Sequence, residues 1–386
     1  MTTFISGIPA LKTIGAGRLV RALVDQGANI VWVGNKSDVA DKVRNRKFFA
    51  AARAASVHYA RRFRRKQLLK DPRFINSPEP VVLLHPAEIG MDWCIEFIRR
   101  RKAPTWIFMF DSSYFCIRSY NHLNGSVCLG CVGGNWQAAK LAGCESYPIK
   151  DSRALEHQQS TLELARSGKV KFLAQCETNA RLARRHFGES VEVRVAGMWT
   201  DDVGEAMGDT SPHDAKPGYD VVLHGSSADA KGGKWTVELA RSMPHVRFLL
   251  PFAADPALPA PLPSNIDFKP MSWASGLRAE MEKAKIALVP SLWSASIEAA
   301  LVKSILLTKR AVVIDEPTAY SAEISESEVL KLPREIPKAA VALAEMIENF
   351  SPISEDKRTA WRRAFANKNG SLLANIRRIT EIRSDH

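Results

Sequence analysis

The chain has 386 residues and carries 54 Lys and Arg against 41 Asp and Glu, a formal net charge of +13. Its hydrophobic content of 46% supplies packed cores and excludes a disordered chain, and its length suits two domains or one large one. No apolar run nears the ~18–20 residues of a spanning helix, residues 1–7 lack the regions of a signal peptide, and six cysteines do not make a secreted disulfide scaffold. The expectation is a cytoplasmic protein, soluble or peripheral to a membrane.

In chain order, Thr3–Ser6 reads as a first strand. The loop Gly15-Ala-Gly17 opens a helix that runs to Asp25 and stops at Gly27. Asn29–Gly34 is a second strand, and Asp38–Lys70 is a long helical stretch ended by Asp71-Pro72. Pro80–His85 is a third strand, Ile89–Arg101 a helix, and Trp106–Asp111 a fourth strand. After a cysteine-bearing insertion come a helix at Arg153–Ser167, a strand at Val170–Gln175, a helix at Thr178–Phe187 and a strand at Val191–Val195. Residues 199–219, rich in Gly, Pro and Asp, read as a linker.

The alternation then restarts. Strands are expected at Asp220–His224, Val246–Pro251, Asn265–Lys269, Lys285–Pro290 and Arg310–Asp315. Helices are expected at Lys234–Met243, Gly276–Lys283, Ser294–Leu307, Pro337–Asn349 and Lys357–Arg383. Near-continuous apolar strands between helices imply parallel sheets covered on both faces. The fold class is therefore α/β, two doubly wound Rossmann-like domains facing a cleft. Ligands of such sheets lie beyond the carboxyl ends of the strands, here Gly7, His85, Asp111, Gly225 and Ser291.

The charge is local. Residues 41–70 hold eleven Lys and Arg and one acid, Asp41, and residues 357–383 hold eight and one acid, Glu381. Two basic segments on a mildly acidic body suggest one docking surface. Phe49, Ala52, Ser56, Tyr59 and Phe63 form a helical stripe, and the arginines lie largely off it. Either the stripe faces the core and the basic face is solvated, or the helix is attracted to an anionic leaflet, at ~1 kcal/mol per basic residue near the surface.

Several stretches resemble the GT-B glycosyltransferases, most closely glycosyltransferase family 4. They are Val221-Val-Leu-His-Gly-Ser-Ser-Ala-Asp-Ala-Lys-Gly-Gly233, Asn265-Ile-Asp-Phe-Lys-Pro-Met271, Ile286-Ala-Leu-Val-Pro-Ser-Leu-Trp-Ser294 and Thr308-Lys-Arg-Ala-Val-Val-Ile-Asp315. Trp106–Cys116 with Cys128-Leu-Gly-Cys131 resembles a subset with a cysteine-rich loop. The resemblance implies an acceptor-binding domain over 1–198 and a linker over 199–219. It implies a nucleotide-sugar domain over 220–350, and helices over 351–386 returning to the first domain. It also implies sugar transfer from a nucleotide-diphosphate donor to a lipid-linked or polysaccharide acceptor in bacterial surface-glycan synthesis, retaining, with no metal or other cofactor in catalysis. Residues expected at the donor are Gly225, Ser226, Lys231, Gly232, Met271, Ser291, Ser294 and Lys303. Gly225 and Gly232 permit close backbone approach, Lys231 supplies a point charge, and a helix opening at Ser294 turns free N–H groups to the phosphates. Gly15 and Gly17 fall in the acceptor-side loop, and His85 and Asp111 are the acceptor-side polar groups, Asp111 as hydrogen-bond partner or base.

The chain departs from the family pattern. Ser226 stands where Arg is usual, and the two Glu of E-x7-E are Ala295 and Lys303. Glu298 is then the acid expected to reach the donor's ribose or sugar, and Lys303 either replaces the lost arginine charge or faces solvent. This motivates a second reading, a degenerate GT-B subunit acting in binding or assembly. A third, nucleic-acid binding, is disfavoured because no recognition motif appears. Cys116, Cys128, Cys131 and Cys144 lie at a spacing that can hold a structural Zn²⁺, or are free thiols. Cys94 and Cys176 are expected in the core.

Overall fold

A computed structural model describes residues 1–10, 15–34, 48–147, 149–198, 218–296 and 298–381. Nearly all of the expected linker, the basic residues at 41–47 and Arg383 lie outside them.

The first domain contains β1 (Thr3–Ser6), α1 (Gly15–Asp25), β2 (Asn29–Trp32), α2 (Phe48–Leu68), α3 (Pro72–Ile75), β3 (Val81–Leu84), α4 (Pro86–Ile89), α5 (Met91–Arg100) and β4 (Thr105–Phe108). The insertion carries a hairpin, β5 (His122–Leu123) with β6 (Ser126–Val127), and α6 (Trp136–Leu141). Then come α7 (Ala154–Arg166), β7 (Val170–Ala174), α8 (Glu177–Phe187) and β8 (Val193–Val195). The sheet order is β2-β1-β3-β4-β7-β8, with every pair parallel. Its strands are short and almost wholly apolar, and both faces are covered: Ile5, Leu83, Ile107 and Phe172 pack to one side, Phe4, Val82, Trp106 and Leu173 to the other.

The second domain contains β9 (Val221–Leu223), α9 (Gly233–Arg241), β10 (Phe248–Leu250), β11 (Ile266–Phe268), α10 (Leu277–Lys283), β12 (Ile286–Val289), α11 (Ala299–Leu307), β13 (Ala311–Ile314), α12 (Ala319–Ala322), β14 (Val329–Leu332) and α13 (Ile336–Glu348). Its order, β11-β10-β9-β12-β13-β14, is again all parallel. The strand order reverses between β9 and β12, so their carboxyl ends open the crevice where such sheets bind ligands.

The last two helices join the domains. In α14 (Glu355–Asn369), Trp361 and Phe365 pack on the second domain. In α15 (Leu372–Glu381), Leu372, Leu373 and Ile376 enter the first domain's core beside Phe4 and Leu19. Where the chain leaves β8, the Met198 N–H donates to Asn369 Oδ1 at 2.9 Å. The returning helix agrees with expectation.

Several expected elements differ. The helix expected over 89–101 starts only at Met91, because Gly90, at φ +109°, separates it from the short α4 before it. The terminal helix over 357–383 is broken at Gly370 and Ser371. The hairpin β5–β6, α12 and β14 were not expected. The stripe on α2 does not face the core: Phe49, Tyr59 and Phe63 are exposed. At ~1.5 Å per residue α2 is roughly 31 Å long, while its edge strand β2 covers roughly 13 Å, so the sheet is too small to cover it. What packs inward is its C-terminal turn, where Leu68 is buried and the Trp93 indole donates to the Arg65 carbonyl at 3.0 Å.

Candidate functional site

The loop after β9 turns through residues 229–231 and ends at Gly232 with φ +76°. A Cβ there would fall 2.2 Å from the Pro290 carbonyl oxygen, so only glycine lets this loop lie against the one after β12. The Leu292 N–H donates to the Ala230 carbonyl at 2.9 Å and fixes the contact. At Gly225 a Cβ would find only ordinary contact, 3.4 Å from the Lys231 carbonyl. Ser226 is exposed beside it.

Lys231 is held from three sides. Its ammonium lies 4.8 Å from the ring centre of Trp293 and 5.3 Å from that of Tyr120, and it pairs with the Glu298 carboxylate. Glu298 is the N-cap residue of α11, and its other oxygen accepts from the Tyr320 hydroxyl at 2.9 Å. Burial, with the charge of Glu298, pushes the Tyr320 phenol well above its ordinary pKa, so it stays a proton donor. The buried Ser291 lies against that phenol. The free N–H groups of the first turn of α11 add positive potential at the same place.

Ser294 is not a helix cap. Residues 290–296 are buried, and α11 starts only at Ala299. Ser294 turns instead to the first domain: it exchanges hydrogen bonds with Asn121, and its carbonyl accepts from Asn179 at 3.1 Å. Ser296 donates to Gln175 at 3.4 Å. These partners satisfy Ser294 and Ser296 outside a helix. Lys303 is not on a solvated face: it is 8% exposed, with its ammonium 4.6 Å from the Trp273 ring centre. Trp273 stacks on His224 at 5.2 Å, beside the half-buried Met271. The expected donor residues thus fall in two groups, one around Lys231 and one around Trp273.

Across the cleft, His85 follows β3 with φ 59°, and Asp111 lies three residues beyond β4. His85 Nε2 is 3.8 Å from Asp111 Oδ2, while Asp111 Oδ1 accepts from the Ser113 N–H at 2.9 Å. Gly15 and Gly17 lie in the first turn of α1. Tyr120 stands between the two halves. Burial and the charges of Glu298 and Asp111 together push its phenol up to about 12. Its ring packs on Trp293 at 4.7 Å. The insertion also sets His122 Nδ1 4.0 Å from Asp229 Oδ2.

Cys116, Cys128, Cys131 and Cys144 are free thiols. Burial, then the neighbouring cysteines, pushes Cys116 up to about 12, so the four share one neighbourhood. Among the described residues no group of three or more His, Cys, Asp or Glu is arranged to hold a metal ion.

Sequence reasoning missed Tyr120, Asn121, Trp293 and Tyr320. Trp293 stood within a recognised stretch without a role, and Tyr320 lay in a segment with no expected element. Tyr120 and Asn121 gain meaning only once the second domain faces them.

These features define the GT-B fold. Sucrose-phosphate synthase from Thermosynechococcus elongatus matches with a TM-score of 0.60 at 11% identity, over 100% of both chains. Anabaena HepE in complex with UDP gives 0.59 at 12%, over 100% of both chains. The E. coli trehalose-6-phosphate structure bound with UDP-2-fluoro glucose gives 0.58 at 11%, again over 100% of both. No family model and no curated protein matches the chain.

Proposed function

We propose that the protein is a glycosyltransferase of the family 4 type. It transfers a sugar from a nucleotide-diphosphate donor to a lipid-linked or polysaccharide acceptor at the cytoplasmic face of a membrane, in bacterial surface-glycan synthesis. The observation that carries this is Lys231, seated with Gly232 in the crevice where the second sheet reverses. Structural likeness to proteins solved with UDP and UDP-2-fluoro glucose supports a nucleotide-sugar donor.

In this reading the pyrophosphate displaces the Glu298 carboxylate from Lys231 and takes the ammonium and the first turn of α11 as counter-charge. Negative charge grows on the departing phosphate as the glycosidic bond breaks, and a positioned cation stabilises that charge. Glu298, released, accepts from the donor's ribose or sugar hydroxyls while Tyr320 holds its other oxygen. His85 and Asp111 orient the acceptor hydroxyl. Transfer retains configuration and needs no catalytic metal, the departing phosphate taking the acceptor proton.

A thermal-shift panel with UDP, GDP, dTDP and their sugars tests this, since ligand at 100 times its dissociation constant stabilises by ~2.7 kcal/mol. No shift with any of them overturns it. Ala295 and Lys303, standing at the two E-x7-E positions, favour a second reading, a binding or assembly subunit. Donor binding without donor hydrolysis or transfer selects it. A structural Zn²⁺ on the four clustered cysteines is a separate proposal. It requires the thiols to draw together, and about one zinc per chain in protein purified without chelator supports it, as a closed four-ligand site implies.

A further inference from the structure

Helix α2 presents an apolar face that the rest of the described chain leaves uncovered. Phe48 is 65% exposed, Phe49 96%, Tyr59 67% and Phe63 64%. At 3.6 residues per turn, Phe48, Tyr59, Ala52, Phe63, Ser56 and Phe49 fall within an arc of roughly 100°. Arg62 and Lys66 border one side of that arc, and Arg53 and Arg64 the other. These four basic residues make no ion pair among the described residues, and residues 42–70 contain no acid at all. The opposite side, with Arg65 and Leu68, is the one applied to the body near Trp93.

We infer that α2 docks the protein on an anionic lipid bilayer, with Phe48, Phe49, Tyr59 and Phe63 entering the interface and the flanking Arg and Lys pairing with lipid phosphates. Large exposed aromatic patches mark interaction sites rather than ordinary surface. Aromatic side chains favour the boundary between water and hydrocarbon, and a helix with an apolar arc between basic borders lies in that plane. Charge selects the partner: a second copy of this face would bring like charges together. The inference rests on the reading of the protein as acting at a membrane. It adds which element makes the contact, and that the contact is hydrophobic as well as Coulombic.

The test is co-sedimentation of the full chain with vesicles of phosphatidylcholine alone and of phosphatidylcholine with about one-third phosphatidylglycerol, at low and high salt. UDP thermal shift is measured on the same samples. Wild type binds the anionic vesicles, and high salt weakens but does not abolish binding, because only the Coulomb part is screened. Phe49→Ala with Phe63→Ala lowers the partition coefficient about tenfold, ~1.4 kcal/mol, with the UDP shift unchanged. Arg62→Glu with Arg64→Glu lowers it further at low salt. Both aromatic side chains are exposed, so their removal leaves the core intact. Anionic-vesicle binding untouched by the aromatic pair overturns the assignment to α2 while leaving membrane action in place. Absence of vesicle binding, or preferential binding of a single-stranded oligonucleotide through these residues, overturns the lipid partner. A UDP shift in those same samples keeps the donor reading separate from either result.

Discussion

Asn121 of the first domain's insertion and Ser294 of the second domain hold each other by two hydrogen bonds. Asn121 Nδ2 donates to Ser294 Oγ at 2.9 Å, and the Ser294 N–H donates to Asn121 Oδ1, also at 2.9 Å. Both residues are buried, so the pair is a latch across the cleft made of groups that have no access to water. Asn121→Ala leaves the Ser294 N–H without its partner, and an unsatisfied buried donor costs ~1–3 kcal/mol. The expected outcome in thermal unfolding is a lower Tm for Asn121→Ala than for Ser294→Ala, which keeps the N–H bond only if Asn121 remains in place. Equal Tm values for both variants and wild type would show that the latch contributes nothing.

Lys231 and Glu298 make the second measurable relationship. Lys231→Ala should weaken nucleoside-diphosphate binding at least tenfold, ~1.4 kcal/mol, and leave nucleoside binding nearly unchanged, since in the proposed binding mode only the phosphates meet the ammonium. Calorimetric titration with UDP and uridine reads the difference. Equal losses for both ligands would remove the phosphate role.

Glu298→Gln separates two effects of one carboxylate. It frees Lys231 from its internal counter-ion, so UDP alone should bind several-fold more tightly. It also removes the acceptor proposed for the donor's hydroxyls, so turnover should fall. Tighter UDP with lower turnover is the expected pattern, and unchanged turnover would move the role to another residue.

Asp111→Asn should lower turnover while leaving the UDP thermal shift intact, because in the proposed reading His85 and Asp111 orient the acceptor and do not touch the donor. A lost UDP shift would place Asp111 at the donor instead.

His186 gives the fold a dependence on pH. It is fully buried among Tyr114, Phe115, Trp136 and Phe187, and its Nδ1 accepts from the Gly133 N–H at 3.1 Å. Burial, aided by Arg166, pushes the imidazole down to about 4 from an ordinary 6.5. Well above pH 6.5 neither folded nor unfolded chain holds the proton, and this contribution is complete. As pH falls toward 4 only the unfolded chain binds it, and up to roughly 3 kcal/mol of stability is lost. Chemical denaturation at pH 7 and pH 4.5 should show a smaller acid loss for His186→Asn than for wild type. Equal losses would assign the acid sensitivity to other groups.

The two sheets were legible in the sequence because doubly buried strands leave apolar runs such as Val81–Leu84 and Ile286–Val289, and the glycines and prolines between them mark their ends. The crevice was legible too, since Lys231 and Gly232 close the loop that follows the strand Val221–Leu223. Ser294 was misread because its local pattern suits a cap, whereas its partners Asn121 and Asn179 are more than a hundred positions away in the chain. The side taken by Phe49, Tyr59 and Phe63 stayed open in the sequence because helical spacing marks a face without saying which side the body lies on. Gly370 broke a helix that propensity alone would have continued, and Gly90 delayed the start of another.

The bond from Met198 to Asn369 has a mechanical consequence. The chain passes between domains twice, once after Met198 and once at Gly370, and this bond pins the two passages together at one point. A single pivot permits the halves to swing open, while separation or sliding would break Met198 from Asn369 and pull Leu372 and Ile376 from the core they complete. Such a swing parts the Asn121–Ser294 latch together with the Asn179 and Gln175 bonds to the same segment and the Tyr120–Trp293 packing, and the gap it opens widens with distance from the pivot.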